Sequence, residues 1–381
     1  MKILMVAIPN HHFFQWVNQL EQAGHEVYWF DITDGAGFSN KIKWVKQCNG
    51  WKLKWDFPFR ASLKNKLPKV YRFIQHFNER KLESVFQNYL DQIQPDIVHS
   101  FEMKLSCLPI LNVMQKNTIP WVYSSWGSDV FYYQELGVSI AEVTTCLKRV
   151  NYLITDCKRD YHLLKQLGYE NTFLGVFPGN GGISFIDYAI KPYNQRKYIL
   201  IKGYEDGVGK AIAVLKAFQY NLWQLISTYE IVIFSADKEV LDFVESSRFY
   251  QEFPPLIFPR NKFVPNETLL KMMNDSVIYI GNSISDGMPN SLLEAMGMGA
   301  FPIQSNPGGV TEEVITHGKN GFLISDCLDS EAISKLISEA LNNTALRQTA
   351  QEYNTRFILE NYERNQLKNK IVTLYHSLQN N

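Results

Sequence analysis

Short apolar runs alternate with stretches of helical periodicity along nearly all of this 381-residue chain, and that alternation most constrains its fold. Residues 2–8 read KILMVAI, a helical pattern follows from about Phe14 to Ala23, and Gly24-His25 introduces a second run, EVYWF. This βαβ opening continues with a helix over Val70–Gln92, a strand DIVHSF at 96–101, a helix near 104–116 and a strand PWVYSS at 120–125. Strands that are apolar throughout, rather than alternating, belong to a parallel sheet covered by helices on both faces.

The pattern breaks at 177–195, where FPGNGGISFIDYAIKPYNQ is rich in Gly, Pro and Asn and reads as a hinge. A second series follows, with strands near 197–201, 229–235, 276–280 and 300–305 and helices near 208–226, 237–248, 266–274 and 289–298. The expectation is an α/β protein of two doubly wound domains, 1–185 and 186–365. Ligands of such sheets sit outside the carboxyl ends of the strands, here in a cleft between the domains.

Composition removes other classes. At 45% hydrophobic and 20% charged, the chain can bury a sizeable core and is not disordered. Lys+Arg and Asp+Glu number 38 each, so no whole-molecule field steers it to nucleic acid, and no nucleic-acid reader motif is present. The five cysteines (Cys48, Cys107, Cys146, Cys157, Cys327) form no C-x-x-C pair, which fits a reducing compartment and gives no metal-ligand spacing. The opening apolar run stops at Pro9, too short for a signal or a membrane span, so a cytoplasmic location is expected.

The most informative segment runs from Ser283 to Met296 (SISDGMPNSLLEAM), directly after the strand SVIYI. Pro289 suits the first position of a helix, and the opening amides of that helix, with the positive end of its dipole, make an anion site. Gly287, Met288, Pro289, Asn290 and Ser291 are the residues that would surround a phosphate there. Glu294 leans back toward the helix start, and Asp286 stands in the loop ahead of it. Two carboxylates beside a phosphate need other partners, and the hydroxyls of a ribose and a sugar supply them. A nucleotide sugar offers that combination.

This run, with GAFPIQSNPGGVTEEV and HGKNGFLI after it, resembles the family 4 glycosyltransferases, whose motif is Glu-x7-Glu with a downstream G-G-x-x-E. Asp286 stands at the first glutamate and Glu294 at the second, while Gly308-Gly309-Val310-Thr311-Glu312 and Asn320-Gly321 match the later pieces. The resemblance implies a GT-B fold of two Rossmann-like domains facing across a cleft, the first for the acceptor and the second for the donor, with a C-terminal helix (366–381) packing back on the first. It implies retention of configuration, Glu294 on the donor ribose, Asp286 toward the donor sugar, and no cofactor or metal, in keeping with the absence of Asp-x-Asp. A glycan or lipid-linked polysaccharide precursor is the expected acceptor. Weaker likenesses lie at GHEV (24–27), PDIVHSF (95–101) and GNGG (179–182).

The departures are specific. Pro9-Asn10-His11-His12 stands where the family often has a Gly-Gly loop, and SSWGSD (124–129) places Trp126 at the histidine of H-G-x-D. Aspartate at 286 is one methylene, about 1.5 Å, shorter than glutamate. The family commonly supplies cations from the loop after the first strand of the second domain. Here that stretch offers Lys202, Gly203 and Lys210, with the lysines either leaving-group contacts or surface residues. On the acceptor side, Asn10 and His11 lie in the first βα loop, and His99 either faces the cleft or is a hydrogen-bonded core histidine. Trp126 is a core residue or a pocket wall, and Asp129 a cap or a ligand contact.

Lys41–Arg72 carries ten Lys/Arg against one acid, Asp56, interleaved with Trp44, Trp51, Trp55, Phe57 and Phe59. Such a mixture suits an anionic membrane surface, which would place the protein on the inner face of the membrane. Two other functions fit the same architecture: a nucleotide-sugar epimerase, and a non-catalytic partner in a polysaccharide assembly complex.

Overall fold

Seven parallel strands of the N-terminal half pair as β1 (Lys2–Ala7), β2 (Glu26–Asp31), β3 (Lys46–Cys48), β4 (Ile97–Phe101), β5 (Trp121–Ser124), β6 (Tyr152–Thr155) and β7 (Thr172–Val176), in the order β3-β2-β1-β4-β5-β6-β7. The computed structural model describes residues 1–35, 37–185, 188–220 and 222–379. Ile3 lies opposite Val27 on β2 and Ile97 on β4. Ile3 through Ala7 have no exposed surface, because helices cover both faces of the sheet, and this is why the run shows no polar alternation. One face packs Leu4, Val6 and Phe30 against Phe86, Leu90, Met114 and Trp121.

The second sheet holds six parallel strands, β8 (Tyr198–Lys202), β9 (Glu230–Ala236), β10 (Leu256–Pro259), β11 (Ser276–Gly281), β12 (Phe301–Ser305) and β13 (Phe322–Ile324), in the order β10-β9-β8-β11-β12-β13. The strand order reverses between β1 and β4 in one sheet and between β8 and β11 in the other. The carboxyl ends of those pairs are where a doubly wound sheet opens a crevice.

The chain divides into two compact units. One holds Met1–Asp156, Asp160–Gly181 and Lys368–Asn381, the other Cys157–Arg159 and Gly182–Leu367. The sequence divisions at 185 and 365 fall a few residues from these, and 157–159 belongs with the second unit; Ile186 and Asp187, inside the expected hinge, lie outside the described residues. The C-terminal helix Arg364–Gln379 contributes its later turns to the first unit. There the Trp16 indole donates to the buried Tyr375 hydroxyl at 3.1 Å, and the His376 ring lies 4.8 Å from that of His25.

Several helices are shorter than their periodicity suggests. The Phe14–Ala23 pattern is realised as the helix His11–Val17 and one 3-10 turn, Asn18–Leu20, ended where Gln22 takes a positive φ of 67°. The helix expected over 70–92 is two, Pro68–Asn78 and Leu82–Ile93, because Glu79 pairs with Leu53 in an antiparallel bridge and Arg80 N–H donates to the Lys52 carbonyl. The 104–116 stretch begins as a π-turn, Met103–Cys107, after Glu102 adopts φ 71°. The last two helices, Thr344–Tyr362 and Arg364–Gln379, meet at Glu363, which is bridged to Ile183.

Two tryptophans of the basic stretch are not surface residues. Trp51 is buried and donates to the Asp31 carbonyl at 2.8 Å, and the Trp44 indole donates to Asn18 Oδ1 at 3.0 Å. Among the described residues, no helix is long and apolar enough to cross a membrane.

Candidate active site

In the second unit, β8 ends at Lys202 and β11 at Gly281, side by side at the reversal point of the sheet. The loops that follow are stitched together. Gly209 and Ser283 form an antiparallel bridge, Lys210 N–H donates to the Asn282 carbonyl and Ile284 N–H to the Val208 carbonyl, each at 3.0 Å. Gly203 packs against the end of β9, where a Cβ would come within 2.7 Å of the Ala236 Cα, so only glycine lets the loop turn there.

This stitching sets the Lys202 ammonium 3.8 Å from the Asp286 carboxylate, with both side chains largely buried. Burial opposes the charge on Lys202, yet the neighbouring Asp286 and the tyrosines 279 and 204 more than compensate and raise its pKa. Burial pushes the Asp286 carboxyl up, against the pull of Lys202, the Gly287 amide and Arg159. The net result is an ion pair held under desolvation, which a charged ligand can enter by exchanging partners.

The helix after this loop is Asn290–Gly297, with Pro289 as its N-cap rather than its first helical residue (φ −68°, ψ 115°). Glu294 lies inside it, only 8% exposed. Its pKa rises to about 7, chiefly through burial, with an Asn266 side-chain hydrogen bond and the charge of Lys202 pulling back. Tyr279, on β11, shares a 2.9 Å hydrogen bond with Ser291, and its hydroxyl is pushed up to about 12 by burial. It also feels the charges of Lys202, Asp286 and Glu294. Four titratable groups from two strands, a loop and a helix thus sense one another.

The other residues expected on the donor side make packing or turn-forming contacts. Met288 is buried in the hydrophobic cluster that also contains Tyr279, Leu292 and Leu293, so its side chain packs inward. The Lys210 ammonium donates to the Gly207 carbonyl at 2.6 Å. Glu312 is exposed and accepts from the Asn306 side chain at 2.7 Å, closing the turn in which Gly308 and Gly309 take φ of 61° and 83°.

Two residues without a sequence signal belong to this site. Arg159, 9% exposed, donates to the Asp286 carbonyl at 2.9 Å and the Pro307 carbonyl at 2.8 Å, joining the loops after β11 and β12. The Glu313 carboxylate accepts from the Lys158 and Arg159 amides. Arg260 stacks 3.9 Å over the Tyr204 ring, which Lys202 approaches at 4.5 Å, and is neutralised by Asp206 at 2.8 Å and Asp237 at 3.1 Å.

In the first unit the residues expected on the acceptor side separate. Asn10 caps the helix His11–Val17, accepting from Phe13 N–H at 2.8 Å, and His11 is exposed. Trp126 stands 6.1 Å from the His12 ring and 6.0 Å from Phe101, beside Gly179. Asp129 is buried and accepts from the Tyr123 hydroxyl at 2.7 Å, Met103 N–H at 2.8 Å and Trp126 N–H at 2.9 Å, so it organises this loop. His99 does not face a ligand: it has no exposed surface and both ring nitrogens are engaged, with Ser124 at 2.7 Å and Tyr375 at 2.5 Å. Burial lowers its pKa to about 3. Instead Glu102, just past β4 at the strand-order reversal, carries a carboxyl raised to about 8 by burial and by Asp129.

Comparison with known proteins agrees with this geometry. Residues 261–357 match the family described as glycosyl transferases group 1, and residues 74–156 match the glycosyl transferase 4-like family. No curated protein sequence matches the chain. Among solved structures it is similar to the sucrose-phosphate synthase of Thermosynechococcus elongatus, at 16% identity and TM-score 0.72, covering 100% of this chain and 99% of that one. It is also similar to Anabaena HepE in complex with UDP-glucose, at 12% identity and TM-score 0.66, covering 99% of this chain and 100% of that one. A glycosyltransferase from Rickettsia africae aligns at 15% identity and TM-score 0.68, covering 100% of this chain and 99% of that one. The chain thus has the GT-B fold of these structures, and within it residues 261–357 carry the glycosyl transferases group 1 match and residues 74–156 the glycosyl transferase 4-like match.

Proposed function

We propose that this glycosyltransferase moves a sugar from a nucleotide diphosphate sugar to a hydroxyl of a glycan or lipid-linked polysaccharide precursor, with retention of configuration. The observation that carries the reading is the juxtaposition of Lys202, Asp286, Tyr279 and Glu294 at the carboxyl ends of β8 and β11. Solved structures of similar fold, such as the HepE complex, hold UDP-glucose, which supports a nucleotide-sugar donor.

In this reading the diphosphate lies against the loop 287–291 and the positive end of the following helix. Glu294, ionised, accepts from the ribose hydroxyls, and Asp286 accepts from a hydroxyl of the donor sugar. Lys202 leaves Asp286 for the phosphate as the glycosidic bond breaks and negative charge gathers on the leaving group. A positioned cation of this kind contributes about 2.7–4 kcal/mol to the transition state. Lys210 is the second candidate cation, once its ammonium leaves the Gly207 carbonyl. The reading calls for no cofactor or metal, since these lysines carry the charge that the departing diphosphate requires. It places the enzyme in the cytoplasm, against the inner membrane face through the 41–72 stretch.

The test is a thermal-shift and titration panel of nucleoside diphosphates and their sugars, since a ligand that binds only the folded state stabilises it. A specific nucleotide should raise the Tm, and Glu294→Ala should abolish the shift. Incubating the donor with and without acceptor, and reading the product anomer by NMR, separates transfer from other chemistry. Conversion of the donor sugar with no acceptor present, or no nucleotide binding at all, would overturn it.

A further inference from the structure

The helix Pro68–Asn78 buries polar side chains and exposes apolar ones. Its inward face carries the half-buried Tyr71 and Ile74, but its most deeply buried side chains are polar: Asn78 has no exposed surface and Gln75 only 6%. Both polar atoms of the Gln75 amide are buried without a partner, while Asn78 clamps the backbone of Trp55, donating to its carbonyl at 2.8 Å and accepting from its amide at 3.0 Å. The outward side chains are apolar. Val70, Phe73 and Phe77 are 46%, 68% and 58% exposed, and spacings of three and four residues put them on one face. Phe73 and Phe77 hold each other edge to face at 5.4 Å. Leu67, at the junction with the preceding helix Arg60–Lys66, and Phe59 at its N-cap are 53% and 84% exposed.

The charges around this face have one sign. Residues 60–78 contain Arg60, Lys64, Lys66, Lys69 and Arg72 and no acid. Arg60 is paired with Asp56 at 3.2 Å, and Lys64, Lys66, Lys69 and Arg72 are exposed. At 100° per residue, Lys69 borders the apolar face on one side, opposite Asn78, and Arg72 lies further round the same side of the helix. Lys52 and Lys54 serve the fold instead, Lys52 beside Glu79 at 3.8 Å and Lys54 donating to the Phe77 carbonyl at 2.7 Å. An exposed apolar aromatic face in a segment whose charges are all positive is the arrangement of a helix lying in the plane of an anionic bilayer. The same face is unsuited to a second copy of itself, because a two-fold contact would set like charges opposite one another.

We propose that the helix pair Arg60–Lys66 and Pro68–Asn78 is a membrane-docking element, inserting Phe59, Leu67, Val70, Phe73 and Phe77 into an anionic bilayer surface while the exposed Lys64, Lys66, Lys69 and Arg72 draw the segment to lipid phosphates. It rests on the membrane contact of the function proposed above and gives that contact its residues. The apolar contact comes from these phenylalanines and aliphatics, and Trp44 and Trp51 take no part.

Co-sedimentation of the full chain with phosphatidylcholine vesicles, with and without phosphatidylglycerol, tests it. Binding is expected only with phosphatidylglycerol present, and should weaken steeply with salt. The double variant Phe73→Ser, Phe77→Ser should bind at least tenfold more weakly, with unchanged Tm and unchanged nucleotide diphosphate binding. Lys69→Gln with Arg72→Gln should weaken binding comparably and flatten its salt dependence. Undiminished binding by the phenylalanine variant would overturn this assignment while leaving the membrane contact intact. No binding by the wild-type chain would overturn both. A concentration-dependent dimer that the phenylalanine variant loses, without vesicle binding, would assign the face to a second copy and overturn it equally.

Discussion

Lys202 Nζ and Asp286 Oδ2 are 3.8 Å apart although 84 positions separate them in the chain, and the charge of Lys202 also reaches Glu294. The lysine is the group whose loss should separate binding from chemistry. Lys202→Met removes the charge expected on the leaving phosphate. Steady-state kinetics should show kcat falling by about 10²–10³-fold, with a smaller rise in donor KM. An unchanged kcat would remove Lys202 from the reaction.

Asp286→Asn keeps the shape of the side chain but ends the ion pair. It leaves the lysine unopposed and weakens the hydrogen bond to the donor sugar. Donor hydrolysis and transfer should both fall, about 10–100-fold in kcat/KM, while binding of the nucleoside diphosphate alone, measured calorimetrically, should hold or tighten.

Glu294 gives the site a pH dependence near neutrality. Its pKa of about 7 in the fold means that it accepts from both ribose hydroxyls only above that pH. Nucleotide affinity should therefore rise between pH 6 and pH 8, and Glu294→Gln should flatten the profile. Stability runs the other way. A carboxyl raised in the fold stabilises fully below its unfolded pKa, and that contribution is lost as pH rises through about 7. Titration calorimetry on one side and melting on the other check the two slopes.

His99 predicts the acid limb of the stability curve. It is neutral in the fold with a pKa near 3, so the unfolded chain takes up the proton first, and stability falls as pH drops below about 6.5. From pH 7 to pH 5 the loss from this one group is about 2 kcal/mol. Thermal unfolding at those two values should show His99→Asn to be the less acid-sensitive protein, whatever its stability at pH 7.

Arg159→Ala removes two hydrogen bonds from a nearly buried guanidinium to the loops after β11 and β12. A cost of about 2–4 kcal/mol in unfolding free energy is expected, with a rise in donor KM as the Asp286 loop loses its support. A lowered Tm with unaltered KM would restrict Arg159 to stability.

What could be read in advance followed from how local the signal was. The central strands β1, β4, β5, β8, β9, β11 and β12 announce themselves because both faces are buried, whereas β3, β10 and β13 are three- or four-residue strands, all at sheet edges, with too little pattern to separate from loop. Periodicity alone does not mark a helix end where distant backbone interrupts it, as Leu53 does at Glu79. Asp286 and Glu294 are visible because one loop and one helix carry both. Arg159 and Arg260 reach the same site from other segments, and nothing in their local sequence marks them. His99 sits at the end of a strand, where ligands gather, yet Tyr375 closes over it from 276 residues away.

The hydroxyl of Tyr375, lodged between the Trp16 indole and the His99 ring, has a temporal consequence. The core of the N-terminal sheet is sealed by a residue translated long after that sheet has left the ribosome. The nascent first unit must therefore wait, incompletely packed, through synthesis of the entire second unit, and acquires its full cooperativity only when the final helix docks.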